Sequence, residues 1–256
     1  MSGQLACAAG HTFDRAARGY VNLLTSSRGG THGDNREMLL ARRAFLERGY
    51  YDTLAARVSA LVCTYMKEGG VLLDMGAGEC FYTERMVGAL REAGTPCDAY
   101  AFDISKEAVR LAAARDRSIR LFVAGAYRMP VRTGSVDVAV NLFAPLAVEE
   151  THRILREGGV FILAVPEREH LFGLKTVVYD TPYKNTVADP TLRGFELLSS
   201  EEVRYTVTVE GQAAIAALWQ MTPYAYRSPR AGVERLLSLP RVSTEVHVRL
   251  FVYRRA

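Results

Sequence analysis

Residues Asp74-Met75-Gly76-Ala77-Gly78-Glu79-Cys80-Phe81 place an acidic side chain at the end of an apolar run, with two glycines just beyond it. Where a strand turns into a helix, glycines let the backbone pass close to a ligand at the carboxyl edge of a sheet. A dinucleotide fingerprint would put a third glycine at position 81, where this chain has Phe81, so the spacing favours a ligand without phosphates. S-adenosylmethionine is such a ligand: its sulfonium and amino group are cationic and Asp74 attracts them, while Asp103 ends the next strand, positioned to accept both ribose hydroxyls. Gly76 and Gly78 alone would equally serve a tight turn; the pairing with Asp103 makes the pattern specific.

These residues need a scaffold, and the hydrophobic pattern supplies one. Asp34 with Glu37 reads as a capping box opening a helix that Gly49 stops, and Asp52 caps a second helix ended by Gly69-Gly70. From residue 71 short apolar runs alternate with amphipathic helices. Strands are expected over 71–75, 99–104, 119–123, 135–143 and 159–165, and helices over 81–92, 106–114 and 148–155. That alternation implies a doubly wound, mostly parallel sheet covered on both faces. Regularity weakens around Pro182 and Pro190, then returns as a strand at 203–209, helices at 212–220 and 231–239, and a strictly alternating strand at 243–253. The alternation predicts a one-sidedly buried antiparallel edge strand, so an antiparallel pair closes the sheet.

The 256 residues are 49% hydrophobic and 23% charged, which excludes disordered, collagenous and coiled-coil classes. No run is long and apolar enough for a membrane span and the start lacks the regions of a signal peptide, so a soluble cytoplasmic protein is expected. Cys7, Cys63, Cys80 and Cys97 lack disulfide-framework spacing and are read as reduced. The net charge of +4 is uneven, with basic flanks around a slightly acidic middle, and arginine far outnumbers lysine. Arginine suits phosphate recognition, although a GC-rich genome produces the same bias.

Met129-Pro130-Val131, Ser135-Val136-Asp137-Val138-Ala139 and the block from Glu149 to Gly159 resemble the fourth- and fifth-strand region of class I methyltransferases. Beyond that core, Cys7 to Asp14, Gly19 to Leu24, Ala41 to Leu46, Gly49-Tyr50-Tyr51 and Gln220 to Arg227 resemble the RlmA family of 23S rRNA guanine-N1 methyltransferases. The resemblance implies the class I S-adenosylmethionine-dependent methyltransferase fold, a 23S rRNA substrate modified at N1 of a hairpin-loop guanine, and a homodimer forming an RNA cleft. It implies an N-terminal recognition segment at 1–33 and a methyltransferase domain at 34–256. The latter divides into a helical lead-in at 34–70, a cofactor core at 71–166 and a substrate-side part at 167–256.

On this basis the expected cofactor residues are Tyr51, Asp74, Gly76, Gly78, Glu79, Asp103, Ala126, Asn141 and His170. Guanine N1 must lose a proton, and Glu79, Asn141 and His170 are the candidates lying near it, with Asn141 as a lining group rather than a base. Arg28, Arg42 and Arg43 are expected at phosphates, and Phe143, Tyr224 and Tyr226 at bases, while a helical apolar face assigns Trp219 to the core. Family members carry a zinc ribbon with four ligands, of which this sequence offers Cys7 and His11, so a degenerate ribbon without tightly held metal is expected. Two other readings share much of the sequence evidence. One is a small-molecule methyltransferase and the other a non-catalytic RNA-binding module, against which Asp74, Gly76, Gly78 and Asp103 together argue.

Overall fold

The computed structural model describes residues 3–7, 10–24, 33–187, 189–226 and 228–256. In chain order, β1 (Gln4–Ala6) and β2 (Thr12–Asp14) form an antiparallel hairpin, followed by β3 (Val21–Asn22) and the helices α1 (Arg36–Leu46) and α2 (Asp52–Tyr65). The core runs β4 (Val71–Met75), α3 (Phe81–Glu92), β5 (Asp98–Asp103), α4 (Lys106–Ala112), β6 (Arg120–Val123), β7 (Val136–Leu142), α5 (Val148–Ile154) and β8 (Leu155–Pro166). Then come α6 (Phe172–Val178), β9 (Phe195–Glu210), α7 (Gln212–Gln220), α8 (Arg230–Ser238) and β10 (Arg241–Arg255).

Eight strands make one sheet in the order β3-β6-β5-β4-β7-β8-β10-β9. The first six are parallel; β10 runs antiparallel to both β8 and β9. The chain moves outward from β4 through β5 to β6 and then returns to β7, so the strand order reverses between β4 and β7. Crevices at the carboxyl ends of such a reversal are where open α/β sheets bind ligands. Successive side chains of a strand serve opposite faces. Leu72, Val138, Val140 and Ile162 pack with α1, α2 and α3, and Leu73, Ala139, Phe161 and Leu163 pack with Phe102, Phe122, Ile154 and Tyr253.

The expected core elements are present within a few residues, and the departures have local causes. The cap of α1 is Asn35, whose Oδ1 accepts from the Met38 N–H at 2.9 Å, because Asp34 is drawn into an ion pair with Arg42. The final strand is not an edge. β9 pairs with β10 over its whole length and takes the outer position, and β10 buries residues on both faces, Val246, Val248, Leu250 and Val252 as well as Phe251 and Tyr253. The strand expected from residue 159 begins earlier, since β8 starts at Leu155 directly after α5, and its register against β7 shifts between Val136 and Val138. Val21 and Asn22 join the sheet beside β6, N-terminal to the boundary expected at residue 33. Among the described residues, no helix is long and apolar enough to cross a membrane.

Candidate cofactor and active site

Three non-glycine residues among those described have left-handed backbone: Cys80 (φ 64°), Phe143 (φ 59°) and Leu171 (φ 56°). They lie just past the carboxyl ends of β4, β7 and β8 respectively. Such conformations cost side-chain-bearing residues energy and cluster at binding sites, and here all three fall on one edge of one sheet.

The glycine loop is pinned from below and from the side. The amides of Gly76 and Ala77 both donate to the Phe102 carbonyl at 2.9 Å. The Asp103 carboxylate accepts from the Gly78 amide at 2.9 Å through one oxygen and from the Ser105 amide at 2.8 Å through the other. Each oxygen retains acceptor capacity, as a ribose-binding carboxylate requires. Burial raises the Asp103 pKa, opposed by those two amide hydrogen bonds. Gly76 (φ +73°) is required by a protein contact, since a Cβ there would lie 2.5 Å from the Ala144 Cβ. Gly78 (φ +56°) meets only Arg42 Nη1, at 3.7 Å, and therefore leaves an open cradle. Beyond β5 and β6, Ile104 and Tyr127 are exposed, and a Cβ on Gly125 would lie 4.0 Å from the Ile104 Cδ1.

Asp74 is almost wholly buried and its Oδ2 accepts from Thr83 Oγ1 at 2.6 Å, tying β4 to α3. Burial raises its pKa to about 7. It thus supports the loop from inside. Glu79 departs from its expected role. Its carboxylate is buried between Arg43 of α1 and Arg115, one guanidinium on each oxygen, and so acts as a clasp. Arg43 and Arg42, expected at phosphates, are engaged with Glu79 and Asp34; the Arg43–Glu79 pair ties α1 to the glycine loop, and the Arg42–Asp34 pair is local to the start of α1. Asn141 spends its amide on its own loop: Nδ2 donates to the Pro145 carbonyl at 3.1 Å, and Oδ1 accepts from the Ala144 amide at 3.3 Å.

His170 is buried, and the hydrogen bond it receives fixes its tautomer. The His247 amide of β10 donates to Nδ1 at 3.2 Å, so in the neutral ring the proton resides on Nε2, which lies 3.5 Å from the Tyr51 hydroxyl. No lone pair remains to take a substrate proton, which removes His170 as a general base. Burial keeps the Tyr51 phenol protonated, leaving its own O–H free to donate into the site. The Phe143 ring stacks on His170 with centroids 5.8 Å apart and is itself exposed. Tyr224 is not an open stacking surface, because its hydroxyl donates to Asn185 Oδ1 at 3.1 Å and its ring covers Lys175. Trp219 is core, as expected. Arg28 and the Tyr226 side chain lie outside the described residues. Nothing in the residue pattern singles out Thr83, Lys175 or Asn185, whose partners lie in other elements.

Burial, with His247 and Lys175 nearby, lowers the His170 pKa from 6.5 to about 4. Between those values the unfolded chain binds more protons than the native protein, so His170 erodes stability as pH falls through that window and is neutral above it. His170→Gln is therefore expected to flatten the fall in urea midpoint between about pH 7 and about pH 4.5. An unchanged slope would contradict the buried, neutral assignment.

Cys7 Sγ and His11 Nδ1 lie 3.3 Å apart across the β1–β2 hairpin. A closed zinc site takes four ligands, and no group of three or more candidate ligands occurs among the described residues, so those residues do not by themselves fit the metal.

Comparison with known proteins agrees with the geometry. A methyltransferase-domain family matches residues 73–163, and the family described as RlmA, N-terminal, matches residues 1–27. A Micromonospora griseorubida protein named as a 23S rRNA (guanine-N(1)-)-methyltransferase is 33% identical, over 98% of this chain and 90% of its own length. A Bacillus subtilis protein named for the same reaction is 30% identical over 95% of this chain and 88% of its own. The 23S rRNA (guanine(748)-N(1))-methyltransferase of Streptomyces fradiae is 30% identical over 92% and 85%. Among solved structures, a Haloferax volcanii methyltransferase in complex with its activator superposes with a TM-score of 0.54 at 17% identity, covering 87% of this chain and 99% of that one. A Bacillus halodurans methyltransferase gives 0.51 at 14% identity, covering 78% and 98%. These two establish likeness of fold.

Proposed function

We propose, because this chain belongs to the family of 23S rRNA guanine-N1-methyltransferases, that it transfers a methyl group from S-adenosylmethionine to N1 of a guanine in a 23S rRNA hairpin loop. The observation that carries the substrate assignment is similarity over more than nine-tenths of the chain to relatives named for that reaction. The pinned glycine loop and Asp103 support the cofactor assignment.

When bound, S-adenosylmethionine supplies a methyl carbon on a cationic sulfonium, a good leaving group. The protein's task is to align acceptor and methyl and to exclude water. Asp103 holds the ribose hydroxyls, Gly78 opens room for the cofactor backbone, and Ile104 with Ala126 encloses the adenine. Tyr51, its hydroxyl oriented by His170, donates a hydrogen bond toward the cofactor's carboxylate end. Phe143, held on the His170 ring, packs beside the guanine once it leaves the loop stack. Methyl transfer to N1 would leave the electrons of the broken carbon–sulfur bond on the departing thioether and would release the N1 proton to water. With Glu79 clasped by arginines and His170 lacking a free lone pair, water is the acceptor this arrangement favours.

A methyl on N1 blocks the Watson–Crick edge. Primer extension on unmethylated 23S rRNA treated with protein and cofactor is therefore expected to stop at one guanine, and to read through when the cofactor is omitted. A small-molecule acceptor would leave the RNA unmarked. Binding to the RNA should weaken steeply with salt, as phosphate contacts require.

A further inference from the structure

Lys175 is wholly buried in α6, yet no carboxylate among the described residues pairs with it. Its ammonium donates to Asn185 Oδ1 at 2.7 Å and to the Tyr183 carbonyl at 3.3 Å. It also lies 4.2 Å from the centroid of the Tyr183 ring and 4.7 Å from that of Tyr224. A cation is therefore kept out of water beneath an aromatic ring, and that ring is left open: Tyr183 is 50% exposed. Tyr179, whose hydroxyl is 2.6 Å from Ser228 Oγ, supports the ring from the side at 5.4 Å.

Asn185 connects this arrangement to the active site. Its Nδ2 donates to the carbonyls of Glu167 (2.9 Å) and His170 (3.3 Å), and its amide donates to the Arg168 carbonyl at 2.9 Å. The exposed ring is thus fixed to the turn that carries His170, against which Phe143 stacks. Several of the large apolar side chains left exposed share this geography: Leu24, Ile104, Tyr127 and Phe143 follow the carboxyl ends of parallel strands, and Tyr183 is tied to the turn after β8, whereas Leu5 of β1 and Leu197 of β9 lie elsewhere. Lys184 and Arg204 lie beside this turn, both paired with Glu169.

We propose that Tyr183, backed by the Lys175 ammonium, is a stacking platform for an unpaired RNA nucleobase flanking the target guanine. This rests on the RNA reading above. Nucleobases from single-stranded loops stack on exposed aromatic rings, and a cation under one face draws on the ring's π-electrons, favouring an electron-rich base on the open surface. The platform has no direct part in methyl transfer and should be felt in RNA affinity.

The test is steady-state methylation of deproteinised, unmethylated 23S rRNA by the full chain, with S-adenosylmethionine affinity measured separately by calorimetry. Tyr183→Ala is expected to raise KM for the RNA about tenfold to a hundredfold, the range that base–aromatic stacking carries, with cofactor affinity unchanged. Tyr183→Phe should restore KM, and Tyr183→Leu, apolar but without a π-face, should not. A wild-type KM in Tyr183→Ala, or equal rescue by Leu and Phe, would overturn the platform while leaving the RNA reading intact. Wild-type protein that binds cofactor but methylates no RNA would overturn both.

Discussion

Asp103→Ala is expected to weaken S-adenosylmethionine binding by about a hundredfold or more. Hydrogen bonds to a charged group are worth about 1.5–3 kcal/mol each, and the proposed ribose contact makes two of them. The same carboxylate already holds the amides of Gly78 and Ser105, so its removal also takes away one of the three hydrogen bonds between the glycine loop and β5 and the one that positions the Ser105 backbone before α4. Asp103→Asn removes the charge together with one acceptor, because its NH2 cannot accept from one of the two backbone amides. Calorimetric titration with the cofactor measures the effect. Binding within threefold of wild type would remove Asp103 from the cofactor site.

Glu79→Ala is expected to lower unfolding free energy by about 3 kcal/mol, the low end for breaking a buried ion pair from one side. Glu79 is 1% exposed, and its loss leaves Arg115, 11% exposed, without its principal anion. Arg43 is more exposed and regains water, which keeps the cost at the low end. Because Arg43 belongs to α1, loosening the clasp should also weaken cofactor binding by freeing that helix from the glycine loop. Urea denaturation is the measurement. A general base would show the opposite pattern, with kcat collapsing while stability and cofactor affinity hold.

The cofactor half of the molecule was legible because its constraints are local. Strand–glycine–helix order and the terminal Asp103 each lie within a few residues of what they organise, so pattern alone places them. Roles that depend on distant partners were not legible. Glu79 reads as a site carboxylate until Arg43 and Arg115, far away in sequence, arrive on its two oxygens. His170 reads as a base until a backbone amide from β10 claims Nδ1, which no spacing along the chain announces. β10 alternates as an edge strand should, but β9 was read as a short strand rather than one long enough to cover it. Asn185 sits between two prolines in a stretch without periodicity, and its importance is visible only through the five groups it joins.

The central claim is most directly tested by incubating the protein with methyl-labelled S-adenosylmethionine and 23S rRNA lacking the modification, then digesting the RNA to nucleosides. The account predicts label in N1-methylguanosine alone, approaching one methyl group per RNA molecule. Label in another nucleoside, or cofactor binding with no label in RNA at any salt concentration, would contradict it.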